Sequence, residues 1–216
     1  YFHNLPSNDI GNNFVKFSTT STWCWQQGCM LQWDPSDSNR RVFYNKLIGH
    51  QYGAELFDIQ KNKVVKSFQN PIYSISTDAK FAISLNLSRL GRLRPGYGYS
   101  LLLDSTLNDP RPKDDGLYIM NLQTGKIELL INLYELSAQV NCDPGDEHYI
   151  NHASFSPDGS RIVFFHIWKL SNSNKRTIRF CCYDLKTSKL SIIEDVRTTS
   201  HYCWRDDNTI LATNVD

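Results

Sequence analysis

Ser156-Pro157-Asp158-Gly159-Ser160-Arg161-Ile162-Val163-Phe164 is the stretch whose reading decides the fold. Proline presets φ for a turn and glycine supplies a positive φ, so Ser-Pro-Asp-Gly joins two antiparallel strands. The alternating run Ile150–Phe155 leads into it, and Arg161–Phe165 leaves it. Three related turns stand elsewhere: Trp33-Asp34-Pro35-Ser36-Asp37, Ser76-Thr77-Asp78-Ala79-Lys80 and Arg205-Asp206-Asp207-Asn208-Thr209. From Asp34 to Asp78 is 44 residues, from Asp78 to Asp158 is 80, and from Asp158 to Asp206 is 48.

Second hairpins fill the intervals. Ala54–Ile59 turns into Lys63–Phe68, Leu117–Leu122 into Lys126–Leu133, and Ile178–Leu185 into Lys189–Glu194. Four antiparallel strands repeated every ~40–50 residues make the blade of a β-propeller. The competing architecture is a two-sheet sandwich. The turn's fixed place between first and second strands favours the propeller. The fold class is therefore all-β: blades over about 23–68, 69–133 and 148–195, and a half blade over 197–216. An insertion over about 88–115 explains the long interval, and 13–22 reads as the last strand of a preceding blade. Only Ile131–Gln139 reads as a short helical turn. A closed ring takes at least about four blades and commonly about six to eight. The chain thus reads as one partial domain of a larger ring, with the remainder of the same propeller as its first partner.

The 216 residues balance 23 Lys+Arg against 22 Asp+Glu, a net charge of +1. That excludes a global basic field, though not a local patch; with no Lys/Arg stripe running along the blades, no nucleic-acid partner is expected. No apolar run approaches the ~18 residues of a membrane span, so no membrane insertion is expected. Tyr1-Phe2-His3-Asn4 lacks the pattern of a signal peptide and reads as a start cut from a longer protein. Of six cysteines, Cys181-Cys182 lie in an apolar strand and Cys203 lies between Tyr202 and Trp204. They read as reduced, largely buried thiols, which points to a cytoplasmic setting.

Propeller geometry brings strand-one starts and strand-two ends to one rim. Polar and aromatic residues collect there: Trp25 and Gln27, then His152, then His201 at strand-one starts, and His166 and Trp168 at a strand-two end. The insertion adds Arg89, Arg92, Arg94, Tyr97 and Tyr99. Arg forks a carboxylate or phosphate, and Tyr or Trp stacks on sugars. His152 and His201 each stand four residues before a blade turn, at Ser156 and Arg205. Equivalent imidazoles on adjacent blades could share a divalent ion. They could equally hydrogen-bond backbone between blades.

Ser156–Phe164 resembles the WD40-like repeat of TolB-type bacterial propellers. Gln27-Gly28-Cys29-Met30-Leu31-Gln32-Trp33, Ile150-Asn151-His152 and Ser200-His201-Tyr202-Cys203-Trp204 bring the likeness closer to their oligogalacturonate-lyase-like branch. The resemblance covers most of residues 23–216. It implies a manganese-type divalent metal held by a His set and a Gln, with His152 and His201 at metal-type positions. It also implies an Arg and a His assisting β-elimination from a uronate, for which Arg89 and His166 are the candidates. Trp25, Gln27, Arg92, Arg94, Tyr97, Tyr99 and Trp168 stand as substrate-binding candidates. Two readings remain open: a metal-dependent lyase on an anionic oligosaccharide, or a non-catalytic propeller presenting its mouth to a glycan or protein partner.

Overall fold

A computed structural model describes residues 16–195 and 199–214. Three four-stranded antiparallel sheets follow one another along the chain, each with its strands in sequence order. The first contains β1 (Gln32–Trp33), β2 (Arg41–Ile48), β3 (Gln51–Asp58) and β4 (Lys63–Phe68). The second contains β5 (Ser74–Ile75), β6 (Phe81–Ser84), β7 (Gly116–Asn121) and β8 (Ile127–Asn132). The third contains β9 (Glu147–Phe155), β10 (Arg161–Lys169), β11 (Arg176–Asp184) and β12 (Lys189–Glu194). A two-stranded sheet, β13 (Thr199–Asp206) and β14 (Thr209–Asn214), ends the described chain. These are three propeller blades and half of a fourth, in an unclosed array.

The repeated turn works through one side-chain device. Ser156 Oγ accepts from Arg161 N (3.0 Å) and donates to Asp158 Oδ1 (2.6 Å), which also accepts from Ser160 N (3.0 Å). Ser76 and Asp78 repeat it toward Phe81 N and Lys80 N, with Ala79 at φ 54° where Gly159 stands at 72°. The outer hairpins use a second device. Asp58, Asn121 and Asp184 each accept from the backbone N–H two and three residues on. Both are Asx-type turns that pin hairpin register.

Blades pack face to face. Phe43, Ala54, Leu56 and Phe68 of the first meet Ile72, Ala82, Met120 and Leu122 of the second. Ile83, Leu117 and Ile131 share a larger core with Tyr149, Ile150, Phe165 and Phe180 of the third, against which Tyr202 and Trp204 pack. The two fully buried alanines, Ala54 and Ala82, leave room for the larger side chains of the first interface.

Three details differ from expectation. Of the strand expected over 13–22, residues 16–22 form none, and 13–15 lie outside the described residues. The innermost strands β1 and β5 are only two residues long; before β1, Trp23–Met30 folds into turns instead of extending. The insertion carries a helix, α1 (Leu87–Leu93), whose N-terminus is capped by Asn86 Oδ1 accepting from Arg89 N (2.9 Å). The loop that returns after it passes extremely close: a Cβ on Gly98 would stand 2.3 Å from Gly91 N and Leu87 O. Glycine at 98 is what lets Tyr97 and Tyr99 lie against the helix. The helical turn expected near 131–139 is α2 (Leu133–Ser137), with a capping box between Asn132 and Glu135.

Candidate functional site

The mouth begins with a tight turn. Cys24 and Gly28 exchange both backbone hydrogen bonds at 3.0 Å, with Gly28 at φ 56°. Gln26 N donates to Gly96 O (2.9 Å), fastening this turn to the loop after α1. Trp25 is thereby held outward while Gln27 turns inward.

Gln27 reaches Tyr73, the residue before β5. Gln27 Nε2 donates to Tyr73 Oη (3.0 Å), as does His152 N (3.0 Å), and Tyr73 Oη donates to Asn151 Oδ1 (2.8 Å). One hydroxyl thus joins all three blades. Burial pushes its pKa up to about 12, against the pull of the Gln27 amide and the His152 N–H, so it stays protonated. Asn151 Nδ2 and Gln27 Oε1 are buried with no partner among the described residues.

His152 sits on a bulge. Ser154 pairs Val163 and Asn151 pairs Phe165, so His152 and Ala153 together face Phe164. Its φ is 51°, a left-handed value that costs a non-glycine residue about 1 kcal/mol or more. The bulge swings the imidazole among Tyr97 (ring centroids 5.6 Å), Phe165 (5.3 Å) and His201 (6.3 Å). Burial first, then the charge of Arg94 and the neighbouring His201, holds its pKa down to about 4. The ring is therefore neutral at pH 7, and its Nδ1 is buried without a partner. His201, on β13, is exposed and holds Ser200 Oγ at 2.7 Å through Nδ1. Arg94, at the end of α1, lies over the Tyr97 ring at 4.1 Å and meets no carboxylate among the described residues.

Trp25, Gln27, Arg94, Tyr97, His152 and His201 therefore converge. The other candidates lie elsewhere. Arg89 is buried and forks five ways into backbone and side-chain oxygens: His148 O (2.6 Å), Thr106 O (3.2 Å), Thr106 Oγ1 (2.8 Å), Asp109 O (3.0 Å) and Pro110 O (2.8 Å). It organises the insertion and presents nothing to a ligand. Arg92 is paired with Asp104 (2.9 Å) and Glu147 (2.7 Å). Tyr99 is buried, accepting from Asn45 Nδ2 (3.0 Å). His166 is enclosed between His148 (2.8 Å) and Arg179 (3.4 Å), and Trp168 stacks on His148. Tyr73 and Asn151, which sequence reading passed over, are the hub; only the adjacency of Asn151 to His152 hinted at it.

No group of three His, Cys, Asp or Glu side chains able to hold a metal ion occurs among the described residues. Two imidazoles, one neutral with a buried unpartnered nitrogen, make half of a tetrahedral donor set. A cleft of about 760 Å3 lies beside the insertion, among Tyr52, Leu102, Asp115 and Tyr118, with none of the mouth residues in its lining. Burial pushes Asp115 up to about 6, but its carboxylate already accepts from Asn86 Nδ2 (2.8 Å). The chemistry-bearing groups are at the mouth.

No protein-family profile and no curated protein sequence matches the chain. Among solved structures it is similar to hydrazine synthase of Kuenenia stuttgartiensis, 12% identical over 76% of this chain and 41% of that one, TM-score 0.47. It is similar to the tricorn protease at 12% identity over 76% of this chain and 13% of that one, TM-score 0.47. An oligogalacturonate lyase in complex with manganese is 14% identical over 86% of this chain and 58% of that one, TM-score 0.39. The chain thus spans 13% to 58% of the length of these proteins. The fold assignment rests on the strand order and register given above.

Proposed function

We propose that the mouth binds an anionic carbohydrate and that, in the whole protein, it serves β-elimination from a uronate. The observation that supports this reading is one juxtaposition. Arg94, which meets no carboxylate among the described residues, lies over Tyr97, and Tyr97 packs against the neutral imidazole of His152. A guanidinium fork neutralises a carboxylate, and the aromatic ring supports a sugar face. In the elimination a base takes the proton α to the carboxylate. The C–H electron pair becomes the new C=C bond, and the glycosidic C–O bond breaks with its pair leaving on oxygen. Neutralising the carboxylate makes that α-proton acidic enough to remove. A divalent ion, when bound, would add Lewis-acid help on the same carboxylate, held from this chain by His152 Nδ1 and His201. Arg94 orients the acid group, and Tyr97 keeps water from its back face.

The test is absorbance of the unsaturated product from oligogalacturonate with added manganese, alongside calorimetric binding. The parent should bind, and Arg94→Ala should weaken binding about tenfold or more, as loss of a charge-assisted pair does. His152→Ala should abolish the metal dependence. Absence of oligogalacturonate binding in the parent rejects the reading. A non-catalytic glycan- or protein-binding module is the second reading, favoured by the burial of Arg89 and His166. Binding without product, with and without manganese, would select it.

A further inference from the structure

We propose that Trp23 and Trp25 form a second sugar subsite beside Arg94, so that the mouth takes a chain of sugar units and discriminates by length. This rests on the reading of the mouth as a carbohydrate site. Trp25 is 81% exposed and Trp23 49% exposed, at the tip of a turn that is not loose. The paired hydrogen bonds of Cys24 and Gly28 close it, and the Gln26–Gly96 bond docks it on the insertion. The two indoles meet edge to face, with centroids 4.9 Å apart at 70°, so they do not bury one another's faces by stacking. Large aromatics held rigidly in water on a closed turn are the anchor type that binding sites use.

Position identifies the occupant. Gly96, against which the Trp25 side chain lies, is two residues from Arg94 and adjacent to Tyr97. A ligand whose acid group meets Arg94 therefore continues over Trp25. A pyranose carries an apolar C–H face suited to an indole. The occupant is accordingly the next ring of an anionic oligosaccharide.

The experiment titrates the full chain with galacturonic acid and with its dimer and trimer, by calorimetry. The quantity read is the ratio of trimer to monomer affinity. It should be about tenfold in the parent, the gain of one good aromatic stack. In Trp25→Ala it should fall below about twofold, and in Trp25→Phe it should largely return. Trp33→Ala, an exposed indole on β1, serves as the control and should keep the parent ratio. An undiminished ratio in Trp25→Ala overturns the subsite. So does monomer binding in the parent without any gain from length. Failure of every uronate to bind overturns the reading of the mouth itself. Binding of a protein or lipid vesicle at Trp25 with no sugar effect would likewise overturn it.

Discussion

Removing the Tyr73 hydroxyl would strip the Gln27 amide of its partner and leave Asn151 Oδ1 with only the His152 N–H. Loss of a buried partner costs about 1–3 kcal/mol. Tyr73→Phe keeps the ring and should destabilise the protein by about 2 kcal/mol, read from urea denaturation, and weaken oligogalacturonate binding severalfold. Unchanged stability would show that water replaces the hydroxyl and that the three blades are not tied there. At this scale the sequence was only partly legible. The histidines were found because both stand four residues before a turn, and equal offset in a repeat means equal place. Tyr73 and Asn151 carry no such mark; each is ordinary in its place until its partners are known. Arg89 and His166 were misplaced for a physical reason. Strand β10 is buried on both faces from Ile162 to Trp168, so alternation gave His166 no direction. Arg89 stands in a capped helix that spacing alone did not reveal.

Strands β9 and β10 hold two histidines in the interior, and this pair makes stability depend on pH. His148 and His166 are fully buried, 2.8 Å apart between ring nitrogens. Burial is the first cause holding His148 down to about 3; Arg111, Arg89 and Arg179 add to it, and Asp146 opposes. His166 is held well below its ordinary value by burial, then by His148 and Arg179. Folded values lie below unfolded ones, so the unfolded chain takes up protons first as pH falls. Stability is full above about pH 6.5 and declines through the acid range, by up to about 1.4 kcal/mol per imidazole per unit of pH. His152 adds in the same direction. Against a typical ~5–15 kcal/mol this is a large share. Urea midpoints should fall from pH 7.5 to pH 5.0, and the fall should flatten in His148→Gln/His166→Gln. Equal midpoints at the two pH values would mean the pair is hydrated. The blades themselves were legible at this scale because turn chemistry is local. The bulge at His152 was not, since the extra residue shows only once β9 and β10 are in register.

Across the whole molecule the sheets stack in one direction, and each face is covered by the next until β13 and β14. There alternation separates two faces. Tyr202 packs against Phe180 (4.8 Å) and Phe165 (5.6 Å), and Trp204 Nε1 donates to Ser154 Oγ (3.3 Å). Cys203 and Arg205 point the other way and are exposed. Leu211 pairs opposite Cys203 and is 70% exposed. The outer edge of β14 pairs with no strand among the described residues. An exposed leucine beside an unpaired edge invites another sheet. The 216-residue chain on its own should therefore self-associate with rising concentration, and Leu211→Lys should hold it monomeric in light scattering. Cys203 reports on the same face. It is the one exposed thiol among the described residues; Cys24 and Cys181 are buried, and Cys29, Cys142 and Cys182 are partly so. In the Leu211→Lys monomer Cys203 should react first with a thiol reagent, giving a fast phase of one equivalent. In the associated parent that phase should slow, because the partner covers it. A fast phase that is equal in both forms would place the contact elsewhere. Association undiminished by Leu211→Lys would do the same, leaving the backbone edge of β14 as the surface that recruits the next sheet.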